Sequence, residues 1–207
     1  MQRKVTSGIM IALLSVGILS LAFNIQPAKA EPKTWYVNDD GGADFTKIRD
    51  AISAASSGDT IYVYNGIYLE NLYIYSKSLT IIGEGKTDTI IDGQGLSVPI
   101  IEINAQGVSV SGFTLRNGPQ SWYYMWGSAV LLDYNGRSCT ISDNIVLSSR
   151  YGITSYRGRN NIISGNTISD TNQGIPLYYS YNETVIGNTI LNGVQYGSDP
   201  PYGIQVW

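Results

Sequence analysis

Three side chains in this sequence have the chemistry to act on a polymer. Asp170 and Asp199 are carboxylates of the kind a glycosidase sets on either side of a scissile bond, and Arg150 is a cation suited to the role of base in a lyase. Histidine is absent and Cys139 is the only cysteine. Ser-His-Asp and Cys-His nucleophilic catalysis, histidine acid–base chemistry and His-ligated zinc or copper are therefore excluded, as is an intramolecular disulfide.

Around these residues lie aromatic side chains. Trp122, Tyr123, Tyr124 and Trp126 fall in one insertion, and Tyr196 and Tyr202 in another. Arg150, Tyr151, Asp170 and Gln173 sit on the short turns between them, so the expected site is a shallow groove with aromatic walls and a polar floor. Aromatic faces stack on sugar rings while the polar groups bond hydroxyls, and the expected ligand is an oligo- or polysaccharide.

What must position these residues is a repeat. Segments 130–144, 152–166 and 174–188 align without a gap at intervals of 22 residues, placing Asn144, Asn166 and Asn188 in one column. A unit this short, built of β-branched runs and Gly or Asn corners, suits one coil of a parallel β-solenoid, whose rungs stack every ~4.8 Å. Aliphatic columns then become a continuous core, and the asparagines an amide ladder. Alternation points Tyr134, Tyr156, Tyr178 and Trp207 outward as an aromatic row, and directs Asp133 inward.

Two coils are longer. Gly112 to Asp143 spans 31 residues and Gly174 to Gly203 spans 29, and both insertions follow an Asn-Gly pair, Asn117-Gly118 and Asn192-Gly193, so both leave the solenoid at the same corner. Upstream, Phe45, Ile48, Ala51, Ile52 and Ala55 recur at helical intervals, which predicts a short amphipathic helix covering the first coil. The expected organisation is a secretory signal over 1–30, a strand and capping helix over 31–59, and the solenoid over 60–207, continuing into further chain or onto a partner.

Removing residues 1–30 takes away three basic side chains and no acidic one, which moves the formal charge from -3 to -6. That disfavours nucleic acid as a partner, and no second apolar stretch of spanning length follows the signal. The expected location is secreted, periplasmic or at the cell surface. Asn182-Glu183-Thr184 is a glycosylation sequon on Asn182.

The run from Trp35 to Gly93 resembles the start of right-handed parallel β-helix proteins of the pectin-lyase-like superfamily. The later SGNTIS, IGNTIL, YGI and QGI elements resemble its NosD-type branch, which carries a periplasmic copper-binding label. The resemblance implies an all-β, right-handed single-stranded parallel β-helix, and its label implies copper delivery. The residues point away from copper, with no histidine and no cluster of soft ligands, so neither a cofactor nor a metal site is expected. The leading functional expectation is a non-enzymatic β-helix that binds carbohydrate or builds part of a cell surface. The alternatives are a polysaccharide lyase or glycoside hydrolase, and a copper-maturation accessory.

Overall fold

Isoleucine, valine and leucine at alternate positions, closed off by Asn, Asp, Ser or Gly at most corners, fold here into stacked three-strand rungs. The computed structural model describes residues 31–123 and 126–207. The secretory segment read at residues 1–30 and Tyr124 lie outside them.

Strands β1 to β19, numbered in chain order, form three parallel sheets. The first contains β1 Thr34–Val37, β2 Thr60–Val63, β5 Thr80–Gly83, β8 Ser109–Ser111, β11 Thr140–Ser142, β14 Ile162–Ser164 and β17 Thr184–Ile186. The second contains β3 Gly66–Tyr68, β6 Thr89–Asp92, β9 Thr114–Arg116, β12 Ile145–Leu147, β15 Thr167–Ser169 and β18 Thr189–Leu191. The third contains β4 Leu72–Tyr75, β7 Ile101–Asn104, β10 Ser128–Leu132, β13 Tyr151–Tyr156, β16 Gln173–Tyr178 and β19 Tyr202–Val206. Every strand pairs with the one a full coil away, so the chain winds as a parallel β-helix.

The core is the stack of inward side chains. Ile61, Ile81, Val110, Ile141 and Ile163 follow one another in register along the first sheet, and all are buried. Each contributes roughly 1.5–3 kcal/mol of hydrophobic burial.

The asparagine column is the predicted ladder. Asn144 Nδ2 donates to Asn166 Oδ1 at 3.2 Å, and Asn166 Nδ2 donates to Asn188 Oδ1 at 2.9 Å. Each amide also serves the backbone: Asn144 Oδ1 accepts from Phe113 N, and the three Nδ2 groups donate to the carbonyls of Val110, Ile141 and Ile163. A corner that would bury unpaired peptide groups is thereby satisfied.

The expected helix is present as α1, Ile48–Ala54, with Ile48, Ala51 and Ile52 buried against the first coil. Its start is secured from a distance. Ile48 N and Arg49 N donate to the Glu70 carboxylate at 2.8 and 3.1 Å, and Lys77 Nζ donates to the carbonyls of Ile52 and Ser53 at the other end.

Among the three segments aligned at intervals of 22, the register departs from that count in one place. In the third sheet Val130 pairs with Ile153 and Leu132 with Ser155, a step of 23, whereas Ile141 pairs with Ile163, a step of 22. The extra residue is absorbed in the turn after β10, where Gly136 N donates to the Asp133 carbonyl. This corrects two expectations. Asp133, following Leu132, lies outward beside Asn104, where solvent and an amide replace the apolar core that would have made its charge costly. Tyr134 leaves the aromatic row, which consists of Tyr156, Tyr178 and Trp207. Tyr178 and Trp207 stack with centroids 6.4 Å apart.

Candidate functional site

The two insertions leave from one corner, as the Asn-Gly pairs predict. Asn117, Ser148, Asp170 and Asn192 occupy the same left-handed position in successive rungs, with φ of 53, 55, 56 and 48°. The loops do not stand apart as the walls of a groove. The Tyr196 hydroxyl is hydrogen-bonded to Gln120, and a side chain added at Gly197 would come within 3.3 Å of the Trp122 ring. The expected floor is filled by Arg150, which is 1% exposed.

The Arg150 guanidinium lies 3.8 Å from the Trp122 ring centre and 4.8 Å from that of Tyr196, and donates to Asp199 Oδ2 at 3.1 Å. Its Nε donates to the Tyr151 hydroxyl, which donates in turn to the Trp122 carbonyl. A guanidinium enclosed by aromatic faces and a carboxylate clamps the loops together and has no open face from which to abstract a proton. Asp170 takes no part in this cluster and accepts instead from Ser169 Oγ. Gln173 receives the Tyr178 hydroxyl. Trp122, Tyr123, Trp126 and Tyr202 keep exposed surface outside the clamp, and Asn182 is exposed with its amide on Asn160.

A second group of polar residues, missed by the sequence reading, lies on the outer face of the third sheet. Glu102 and Asn104 project from β7, and Asp133 follows β10 one rung on. Asn104 Nδ2 donates to Asp133 Oδ2 at 3.2 Å, and Asn135 Nδ2 donates to Asn104 Oδ1 at 2.7 Å, which fixes the amide orientation. Burial, reinforced by the Asp133 charge, pushes the Glu102 carboxyl above its usual range. Tyr73 and Tyr75, one rung back, stack on each other at 6.0 Å, and the Tyr73 hydroxyl is raised by burial and by Glu102. Beside the pair, Tyr75, Asn104, Gln106 and Asn135 line a depression of about 390 Å³. The arrangement offers two carboxyls, one of them raised by burial and by the charge of the other, next to an aromatic platform. The signal that could have found it was Glu102 on the polar phase of PIIEI; Asp133 joins it only once the extra residue turns that carboxylate outward.

A soft-metal site does not fit this chain. Histidine is absent from the sequence, and among the described residues no three His, Cys, Asp or Glu side chains converge. Cys139 is buried beside the Ala105 and Arg137 carbonyls at 3.3 and 3.4 Å, and burial raises its thiol, which disfavours the thiolate that copper would require.

Fold and surface together define a right-handed parallel β-helix. Residues 52–199 match the periplasmic copper-binding protein (NosD) family, and the chain belongs to that family. One curated relative, the probable pectinesterase/pectinesterase inhibitor 17 of Arabidopsis thaliana, is 45% identical over 56 residues, which is 26% of this chain and 11% of the relative. A pectin methylesterase solved with hexasaccharide IV is 19% identical, with a TM-score of 0.50, over 86% of this chain and 72% of that one. Pectin methylesterase PemA from Erwinia chrysanthemi is 20% identical, with a TM-score of 0.45, over 72% of this chain and 56% of its own. The chain thus spans about a tenth of the curated relative and just over half of PemA. The expectation of a non-enzymatic role is corrected by the curated relative, a probable pectinesterase/pectinesterase inhibitor by name.

Proposed function

We propose that this protein is an exported carbohydrate-active hydrolase that cleaves ester groups on a polysaccharide, with Glu102 and Asp133 as its working carboxyls. The observation that carries this reading is their placement. The two groups sit on adjacent rungs of an exposed sheet face, coupled in charge, and Asn104 holds one of them. The 45% identity with a pectinesterase over 56 residues supports the ester class. Export accords with the periplasmic description of the family.

In this reading Asp133 accepts a proton from the attacking water, whose oxygen bonds to the acyl carbon. Glu102, whose carboxyl burial pushes up, gives a proton to the departing alkoxide as the ester C–O bond breaks, so that an acid and an alcohol leave. Different environments for two neighbouring carboxyls are what such a division of labour needs. Tyr73 and Tyr75 supply a face on which a sugar ring can lie.

The test is to incubate the purified protein with methyl-esterified polygalacturonate and measure methanol, reducing ends and unsaturated products in parallel. Methanol release that is lost in Glu102→Gln and Asp133→Asn supports the proposal. Reducing ends or unsaturated products without methanol, or full activity in both variants, would overturn it.

A further inference from the structure

Next to the carboxylate pair, along the same corner, lies a cluster that the proposed ester chemistry does not use. Gln106, Arg137, Arg159 and Tyr181 occupy one column, joined rung to rung by parallel bridges. Arg137 and Arg159 are therefore like charges on adjacent rungs, an unfavourable placement that nothing in the fold requires. Arg157 reaches the same place from the preceding column, and with Tyr134, Tyr179 and Tyr181 the three arginines line a cavity of about 350 Å³.

Among the described residues, rings and no counter-ions accompany these cations. Arg137 lies 5.6 Å from the Tyr134 ring centre, Arg157 5.3 Å from Tyr156 and Arg159 5.5 Å from Tyr181. The four ion pairs among the described residues involve none of the three. Arg137 Nε is buried with no hydrogen-bond partner. A ring beneath a guanidinium fixes its plane and leaves the N–H fork directed at whatever enters.

The backbone carries a further sign. Most corner positions with positive φ are held by Gly, Asn, Asp or Ser, yet Arg157 and Tyr179 adopt φ of 55 and 53° in successive rungs. Large side chains in the left-handed region are strained, and strain kept in adjacent rungs around one cavity is characteristic of a binding site.

We infer that Arg137, Arg157 and Arg159, with Tyr134, Tyr179 and Tyr181, form a binding site for a sugar residue that carries an oxyanion, either a carboxylate or a sulfate. The guanidinium forks take the anion in paired N–H···O bonds and the tyrosine rings pack on the apolar face of the sugar. Next to Glu102 and Asp133, it holds a charged unit of a chain whose neighbouring unit lies on the carboxylates. To that extent the inference rests on the hydrolase reading.

Isothermal titration of the full chain with trigalacturonate, a sulfated galactose disaccharide and neutral galactotriose tests the site. The expected result is salt-sensitive binding of a charged probe, weakened about tenfold or more in Arg157→Gln/Arg159→Gln, with no matching affinity for galactotriose. The tighter of the two charged probes identifies the substituent. Equal affinity in the wild type and the double variant, or galactotriose binding as tightly as the charged probes, would overturn the inference. Both substituted residues are exposed, and a thermal melt verifies their fold. Glu102→Gln separates the two claims, because it removes turnover and leaves this binding intact. Charged-probe binding without any ester cleavage would sink the hydrolase reading alone.

Discussion

Asn104 donates its side-chain amide to the carboxylate of Asp133 on the next rung, across 3.2 Å, while Asn135 holds the other end of the same amide. An acidic group on a sheet face is thus fixed by two neutral neighbours that leave its charge unneutralised. Replacing Asn104 by Ala should reduce kcat for ester cleavage about tenfold through loss of orientation, and Glu102→Gln or Asp133→Asn should reduce it by about a hundredfold or more. Steady-state methanol release measures all three, with melting temperatures as the control.

The Glu70 carboxylate, buried below α1, receives the first two free N–H groups of the helix. Glu70→Ala strips this remote cap, with an expected loss of about 1–2 kcal/mol, or about 3–6 °C in Tm for a chain of this size. Calorimetry checks the value. A local Lys47 substitution should do far less, since its side chain makes no capping bond.

Asn166 is the middle of the amide ladder and Asn188 its more open end. Asn166→Ala leaves buried backbone and side-chain groups unpaired on both sides and should cost about 2–3 kcal/mol. Asn188→Ala, beside solvent, should cost roughly half as much. Urea unfolding of the two variants gives the comparison.

Two carboxyls pull the pH dependence in opposite directions. Burial pushes Glu183 up from its ordinary 4.5 to about 7. Between these values the unfolded chain loses its proton first, so stability falls as pH rises from 4.5 to 7, by about 1–2 kcal/mol after allowance for partial exposure. Asp59 is the reverse case. Backbone N–H groups of Lys33 and Ser56 and the Trp35 indole hold its carboxyl below the ordinary 3.8, so the stability it adds is lost as pH falls below that value. Thermal melts from pH 3 to 8 should pass through a maximum on the acid side of neutrality, and Glu183→Gln should flatten the limb above it.

Asp199 is half exposed while its partner Arg150 is buried. Asp199→Ala leaves the enclosed guanidinium without a counter-charge, and the loops at 119–127 and 194–201 should become accessible to protease under conditions where the rungs stay folded. Limited proteolysis with mass mapping reads this directly. Cleavage spread evenly along the chain would contradict the clamp.

The architecture is more legible in the sequence than the site. Columns such as Asn144, Asn166 and Asn188 are legible because the coil repeats at a fixed interval, and stacked rungs turn that interval into contact. The aromatic insertions are legible too, by length and by the shared Asn-Gly corner. The closing of those loops is not, because it depends on where a single buried guanidinium goes. Nor is the approach of Asp133 to Glu102. One residue taken up in a turn restores the 22-step downstream, so the shift leaves no trace in the later columns. Glu70 is hidden for another reason: it caps a helix that begins 22 residues before it.

Each rung pairs its strands with those of its immediate neighbours, and side loops depart at a corner whose backbone shape recurs in four successive turns. Length and surface are thereby decoupled: whole turns can be gained or lost by duplication or deletion while the decoration at the corner varies freely. Such a molecule behaves as a ruler with exchangeable marks, adaptable to longer or differently substituted polymers without redesign of its interior.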